Sequence, residues 1–134
     1  MKRINIKCPY CGSRAYLRPA SMVHGDHTDD AGAKLYVCAR YPACDAYVAA
    51  HKDTLLPMGT LADRNLRRKR MEAHSELNRL IDSSLMTRKQ AYRWIQVQLG
   101  LPEPEAHIAK FSELRCQKVI ELCRALSRAQ TRAA

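Results

Sequence analysis

Four cysteines in the first third of the chain constrain the fold more than any other feature. They read Cys8-Pro-Tyr-Cys11-Gly12 and, further on, Cys38-Ala-Arg-Tyr-Pro-Ala-Cys44. Two thiolates two residues apart can face one ion while backbone N–H groups of the turn point at the sulfurs. Gly12 supplies the positive φ by which the chain leaves that turn. The second pair is wider, and Tyr41-Pro42 stiffens the loop between its thiols. Together the pairs offer four thiolates, the donor set of tetrahedral Zn²⁺ at about 2.3 Å per bond. The expectation is therefore one structural Zn²⁺ held by Cys8, Cys11, Cys38 and Cys44. Such a centre carries two net negative charges, which Lys7, Arg14 and Arg40 can offset. Two alternatives remain: four buried thiols without metal, and iron in a rubredoxin-like site. The latter usually shows two Cys-x2-Cys-Gly knuckles, a pattern from which the second pair departs.

The chain has 134 residues and six Cys. No stretch approaches the roughly 20 apolar residues of a membrane span, which excludes an integral membrane protein with helical spans. The basic start, Met1 to Lys7, runs into Cys8-Pro9 where a signal peptide needs its apolar segment. A cytoplasmic location is expected, and there cysteines serve metal or stay free rather than form disulfides.

Between the Cys pairs the composition predicts short strands over 13–17, 34–38 and 46–50. Residues 19–33 are polar, with Gly25 and Gly32, and read as a long hairpin loop. Its His24-Gly-Asp-His27-Thr-Asp-Asp30 run invites a metal reading, but an exposed loop rarely fixes ligand geometry. A polar surface loop is expected.

These residues carry a resemblance. Cys-Pro-x-Cys-Gly followed by Tyr-Val-Cys-x-x-Tyr-Pro-x-Cys resembles the C-terminal zinc ribbons of bacterial type IA DNA topoisomerases over about residues 8–48. In that family the ribbons bind single-stranded DNA. The catalytic domain of those enzymes has no counterpart here. A longer resemblance adds Cys44-Asp-Ala-Tyr-Val48, His51-Lys, Pro57-Met-Gly-Thr-Leu-Ala62 and Glu72-Ala-His74. It is to a family of short bacterial and phage zinc-finger-containing domain proteins, spans nearly the whole chain, and implies fold and metal rather than an activity.

The remainder reads as helical. Thr60 can cap a helix with Asp63 at the capping-box position. Ala62, Leu66, Ala73, Leu77 and Leu80 fall on one side, and Arg64, Arg67 and Arg68 near the other, with Lys69 and Arg70 on the flanks. Asp82-Ser-Ser-Leu-Met86 breaks this helix. Thr87 with Gln90 opens the next, whose inner face is Ala91, Tyr92, Ile95 and Leu99, and Gly100 and Pro102 end it. Residues 106–111 suit a helical turn. Ser112 caps the last helix, where Cys116, Val119, Ile120, Cys123 and Leu126 form a core stripe. The two late cysteines are thus small apolar core residues, since seven positions separate them by about 10 Å. A short, frayed tail is expected after Ser127. The predicted fold is α+β. A small N-terminal four-cysteine zinc ribbon of short antiparallel strands (1–56) packs with a C-terminal basic bundle of three main helices (57–134).

The formal charge is +10, which favours a polyanionic partner. Eight cations face five carboxylates over residues 1–56, and fifteen face eight over 57–134. Five of the six Tyr lie in the ribbon, interleaved with Arg. Tyr16, Tyr36 and Tyr41 are candidates to stack bases, and Arg14, Arg40, Arg64, Arg67 and Arg68 to hold phosphates. The expected role is non-catalytic binding of nucleic acid, single-stranded DNA above all. The alternative is an adaptor whose ribbon docks on a protein of nucleic-acid metabolism. A nuclease using His51, His74 or His107 is more remote. Their spacing makes no known constellation, and a four-thiolate zinc has no open position.

Overall fold

A computed structural model describes residues 5–25 and 32–133. The chain divides into two compact units, Met1–Arg64 and Asn65–Ala134.

The first unit is a four-stranded antiparallel meander in the order β1-β2-β3-β4. The strands are β1 (Ile6–Lys7), β2 (Arg14–Pro19), β3 (Lys34–Cys38) and β4 (Tyr47–Ala49). The short β1 is an addition to the three expected strands. It is set by the pairing of Ile6 with Ala15 and Lys7 with Arg14.

Alternation decides the two faces of this sheet. One face gathers Ala15, Tyr36, Cys38 and Val48 with Cys8, Ala46 and Leu61. The other gathers Leu35, Val37, Tyr47 and Ala49, with Val23 and Tyr41 packed alongside. β3 is covered on both sides, and its residues 35–38 are all buried.

Within the expected loop over 19–33, Ser21–His24 form the short helix α1. The His24 ring meets that of Tyr47 edge-on, with centroids 5.7 Å apart. The acidic segment with His27, Asp29 and Asp30 lies outside the described residues.

After β4 the chain turns back and remains part of the ribbon. Ala50 bridges to Pro57 and Tyr47 to Ala62. The N-terminal unit therefore reaches Arg64 rather than ending at 56. The same bridge moves the first long helix. Ala62 and Tyr47 exchange N–H···O bonds of 3.0 and 3.1 Å, which keeps Ala62 extended. Hence α2 spans Arg64–Asp82, and the Thr60–Asp63 capping box does not start it.

Beyond α2 come α3 (Arg88–Leu99) and α4 (Glu113–Ala133), with two short 3-10 turns at Glu103–Glu105 and Ile108–Lys110 between them. These turns replace the single turn expected over 106–111. Leu66, Ala73, Leu77 and Leu80 of α2 are buried, as are Ala91 and Ile95 of α3 and Cys116, Val119, Ile120 and Cys123 of α4. Thr87 and Gln90 form a complete capping box on α3, and Gly100 closes that helix in the left-handed region. The Ser112 hydroxyl accepts from the Arg115 N–H at 3.3 Å.

The C-terminal end of α2 is a Schellman arrangement. Leu85 N–H reaches Leu80 C=O at 3.3 Å and Ser84 N–H reaches Ile81 C=O at 3.1 Å. Ser84 takes the left-handed position, with φ 63°. No frayed tail follows Ser127, because Arg128, Ala129 and Gln130 are good helix formers and α4 continues to Ala133.

Candidate metal centre

The first knuckle is closed by its own backbone. Cys8 N–H donates to Ser13 C=O at 2.7 Å, and Gly12 N–H donates to Cys8 C=O at 2.9 Å. Gly12 has φ 76°, the positive value that the spacing required. The second knuckle leaves β3. Tyr41 N–H bonds to Cys38 C=O at 3.0 Å, and Cys44 N–H to Arg40 C=O at 3.1 Å. The Tyr41–Pro42 bond within it is cis. Ala39 N–H donates to Arg14 C=O at 2.9 Å, tying the second knuckle to β2.

These turns bring four sulfurs together. Cys8 and Cys44 lie 3.6 Å apart, Cys11 and Cys38 3.4 Å, and all four within 4.8 Å of one another. Bonds of about 2.3 Å at tetrahedral angles place thiolates about 3.8 Å apart, so the donor set fits one Zn²⁺. It is the single cluster of metal-ligating groups found among the described residues.

Hydrogen bonds supply the second requirement, support for negative sulfur. The Ser13 hydroxyl and amide both reach the Cys11 sulfur and draw its pKa down to about 6. Burial pushes Cys38 up to about 12, against a backbone hydrogen bond from Arg40. Burial likewise raises Cys44, against one from Ala46. Three of the four sulfurs thus have a backbone donor, and a divalent cation would offset the cost of burying the thiolates. Ser13 was not among the expected site residues, although its place directly after Gly12 was a visible signal.

The remaining site residues separate on inspection. Arg14, Tyr16 and Arg18 alternate onto one face of β2, where Tyr16 is 40% exposed. The Arg14 and Arg18 guanidinium carbons lie 5.3 and 5.4 Å from the Tyr16 ring centroid. Lys7 pairs across to Arg14 and is exposed beside it. Tyr36, by contrast, is only 6% exposed and donates its hydroxyl to Leu55 C=O. It packs in the core because β3 alternation turns it into the cluster of Ala15, Cys38 and Val48, so it offers no stacking surface. Tyr41 is half-buried against the cluster of Leu35 and Val37. Arg40 is exposed on the second knuckle.

On α2, Arg64 and Arg68 are exposed and Arg67 is half-buried. Arg70 is no part of a basic face. It is buried, and its Nε donates to Phe111 C=O at 3.1 Å. Cys116 and Cys123 are buried thiols outside the cluster, both raised by burial. His51 and His107 are exposed and His74 is half-buried.

The family comparison agrees with this geometry. The model of a family described as a zinc-finger-containing domain matches residues 4–126. Among curated proteins and among solved structures there is no significant match. With a match over nearly its whole length and the four-thiol cluster that such a domain requires, the chain belongs to the zinc-finger-containing domain family.

Proposed function

We propose that this protein binds nucleic acid, with single-stranded DNA as its favoured partner, and that the zinc holds the binding surface in shape. One observation carries the reading: the exposed Tyr16 ring on β2, bracketed by Arg14 and Arg18. A base stacks on such a ring while guanidinium and ammonium groups hold the adjoining phosphates. Lys7 extends the same cationic strip. Arg64, Arg67 and Arg68 of α2 add phosphate contacts that carry no sequence information. A formal charge of +10 speeds encounter with any polyanion.

The role is binding rather than catalysis. Four thiolates complete a tetrahedral zinc shell and leave no position for a substrate water. Six cysteines outside disulfides, four of them in the metal cluster, suit a reducing compartment, which supports a cytoplasmic setting. No helix of the described residues is long and apolar enough to cross a membrane.

Anisotropy with a labelled oligothymidylate, duplex DNA and RNA, each at two salt concentrations, tests the reading. Tyr16→Ala lowers single-strand affinity and leaves the salt slope unchanged, because no charge is lost. Changing Arg14 and Arg18 to Ala flattens that slope by about 0.7 per lost phosphate contact. The zinc-loaded protein showing no affinity for any nucleic acid at low salt would refute the reading, and an adaptor role for the ribbon would take its place.

A further inference from the structure

Helix α3 carries apolar residues on more than its buried side. Ala91 and Ile95 are its buried positions. Trp94 and Val97, three residues apart, share a different side, next to Lys89 and Arg93, which are four apart. Val97 is 62% exposed and Trp94 is half-buried. These four residues line a groove of about 850 Å³ that Glu103 and the buried Ala106 also line. The groove lies wholly within the helical unit.

Its chemistry favours a peptide over a small molecule. The groove sets the indole, Tyr92, a valine and an alanine among two cations, one carboxylate and the His107 ring. A small-molecule site relies on a few fixed polar groups converging inside the pocket. Here Lys89 and Arg93 are exposed side chains, and Gln90 is committed to the capping box. An apolar floor with a charged rim matches helix-in-groove recognition. Residues 89–97 extend about 12 Å at 1.5 Å per residue, room for about two turns of a partner helix. The excess of cations on the rim selects an acidic one.

We propose that this groove docks an acidic amphipathic segment of a partner protein. A large aliphatic side chain of that segment packs against Trp94, Val97 and Ala106, and its carboxylates meet Lys89 and Arg93. The inference is independent of the sheet-face reading, since no residue is shared.

Trp94 is the only Trp in the chain, so its emission reports on the groove alone. The probe is a synthetic peptide of Leu, Ala and Glu with Leu at helical spacing, and its twin carries Lys at every Glu. The acidic peptide shifts Trp94 emission to the blue and saturates. Lys89→Glu with Arg93→Glu weakens that binding about tenfold, and Val97→Asp removes it. Val97 is exposed, so helical circular dichroism and zinc content stay unchanged in both variants. Tyr16→Ala leaves peptide binding intact. The inference is overturned if the acidic peptide gives no shift, or if the Lys twin binds equally well. It is also overturned if oligothymidylate produces the shift and the same variants abolish it, because the groove would then be a nucleic-acid surface.

Discussion

Arg70→Ala separates a solvated basic stripe from a structural cation more sharply than any other change to α2. Arg70 belongs to a run with five cations in seven residues, and from sequence it differs little from Arg68. In the fold it is 8% exposed and its Nε donates to Phe111 C=O at 3.1 Å. Phe111 is fully buried and lies just before α4. Truncation removes a hydrogen bond from a charged donor, which contributes about 1.5–3 kcal/mol, and leaves a carbonyl short of its partner. The expected loss is about 2–3 kcal/mol. For a domain of this size that lowers the melting temperature by about 10–20 °C. Arg68→Ala, at an exposed site, changes stability by less than about 0.5 kcal/mol. Thermal and urea unfolding followed by helical circular dichroism, with zinc loaded, compares the two. Equal and small effects would show that Arg70 is one more surface cation and that the side assigned to it on α2 is wrong.

Three further outcomes are expected. Ser84→Gly raises stability by about 1 kcal/mol, because the left-handed conformation at Ser84 costs a residue with a Cβ about that much; denaturant midpoints check it. Tyr36→Phe removes the hydroxyl that donates to Leu55 C=O and costs about 1 kcal/mol. Because its ring is buried, single-strand affinity in the anisotropy assay stays the same. Burial, and secondarily Arg88, lowers the pKa of His74 from 6.5. The folded state therefore favours the neutral ring, while the unfolded chain takes up a proton below about pH 6.5. Stability falls as pH drops from there through the lowered folded value, and His74→Gln flattens that part of a stability–pH profile.

Local chemistry was legible and tertiary choices were not. Gly12 at positive φ, the Thr87–Gln90 capping box and the Cys116–Cys123 stripe each follow from a few neighbouring residues, and each stands in the fold. The start of α2 depended instead on the pairing of Ala62 with Tyr47, fifteen residues earlier, which overrides the capping signal at Thr60. Tyr36 and Tyr16 are alike in composition terms. Only the register of β2 against β3, with Leu17 opposite Tyr36 and Tyr16 opposite Val37, places one in the cluster of Cys38 and Val48 and leaves the other exposed on β2 beside Val37. Alternation could have signalled the Arg14-x-Tyr16-x-Arg18 strip, since three residues at spacing two share a side of any strand. Arg70 gave no such sign, because its acceptor is a backbone carbonyl 41 residues away.

Elemental analysis with native mass spectrometry, on protein purified without added metal, tests the central claim most directly. One zinc per chain is expected, retained in Cys116→Ser and Cys123→Ser and lost from Cys8→Ser, Cys11→Ser, Cys38→Ser and Cys44→Ser combined. Loss of metal should also release the β2–β3 amides to fast hydrogen exchange, since so small a sheet is stapled by its ion. A metal-free chain with the same protected sheet, or iron in place of zinc, would contradict it.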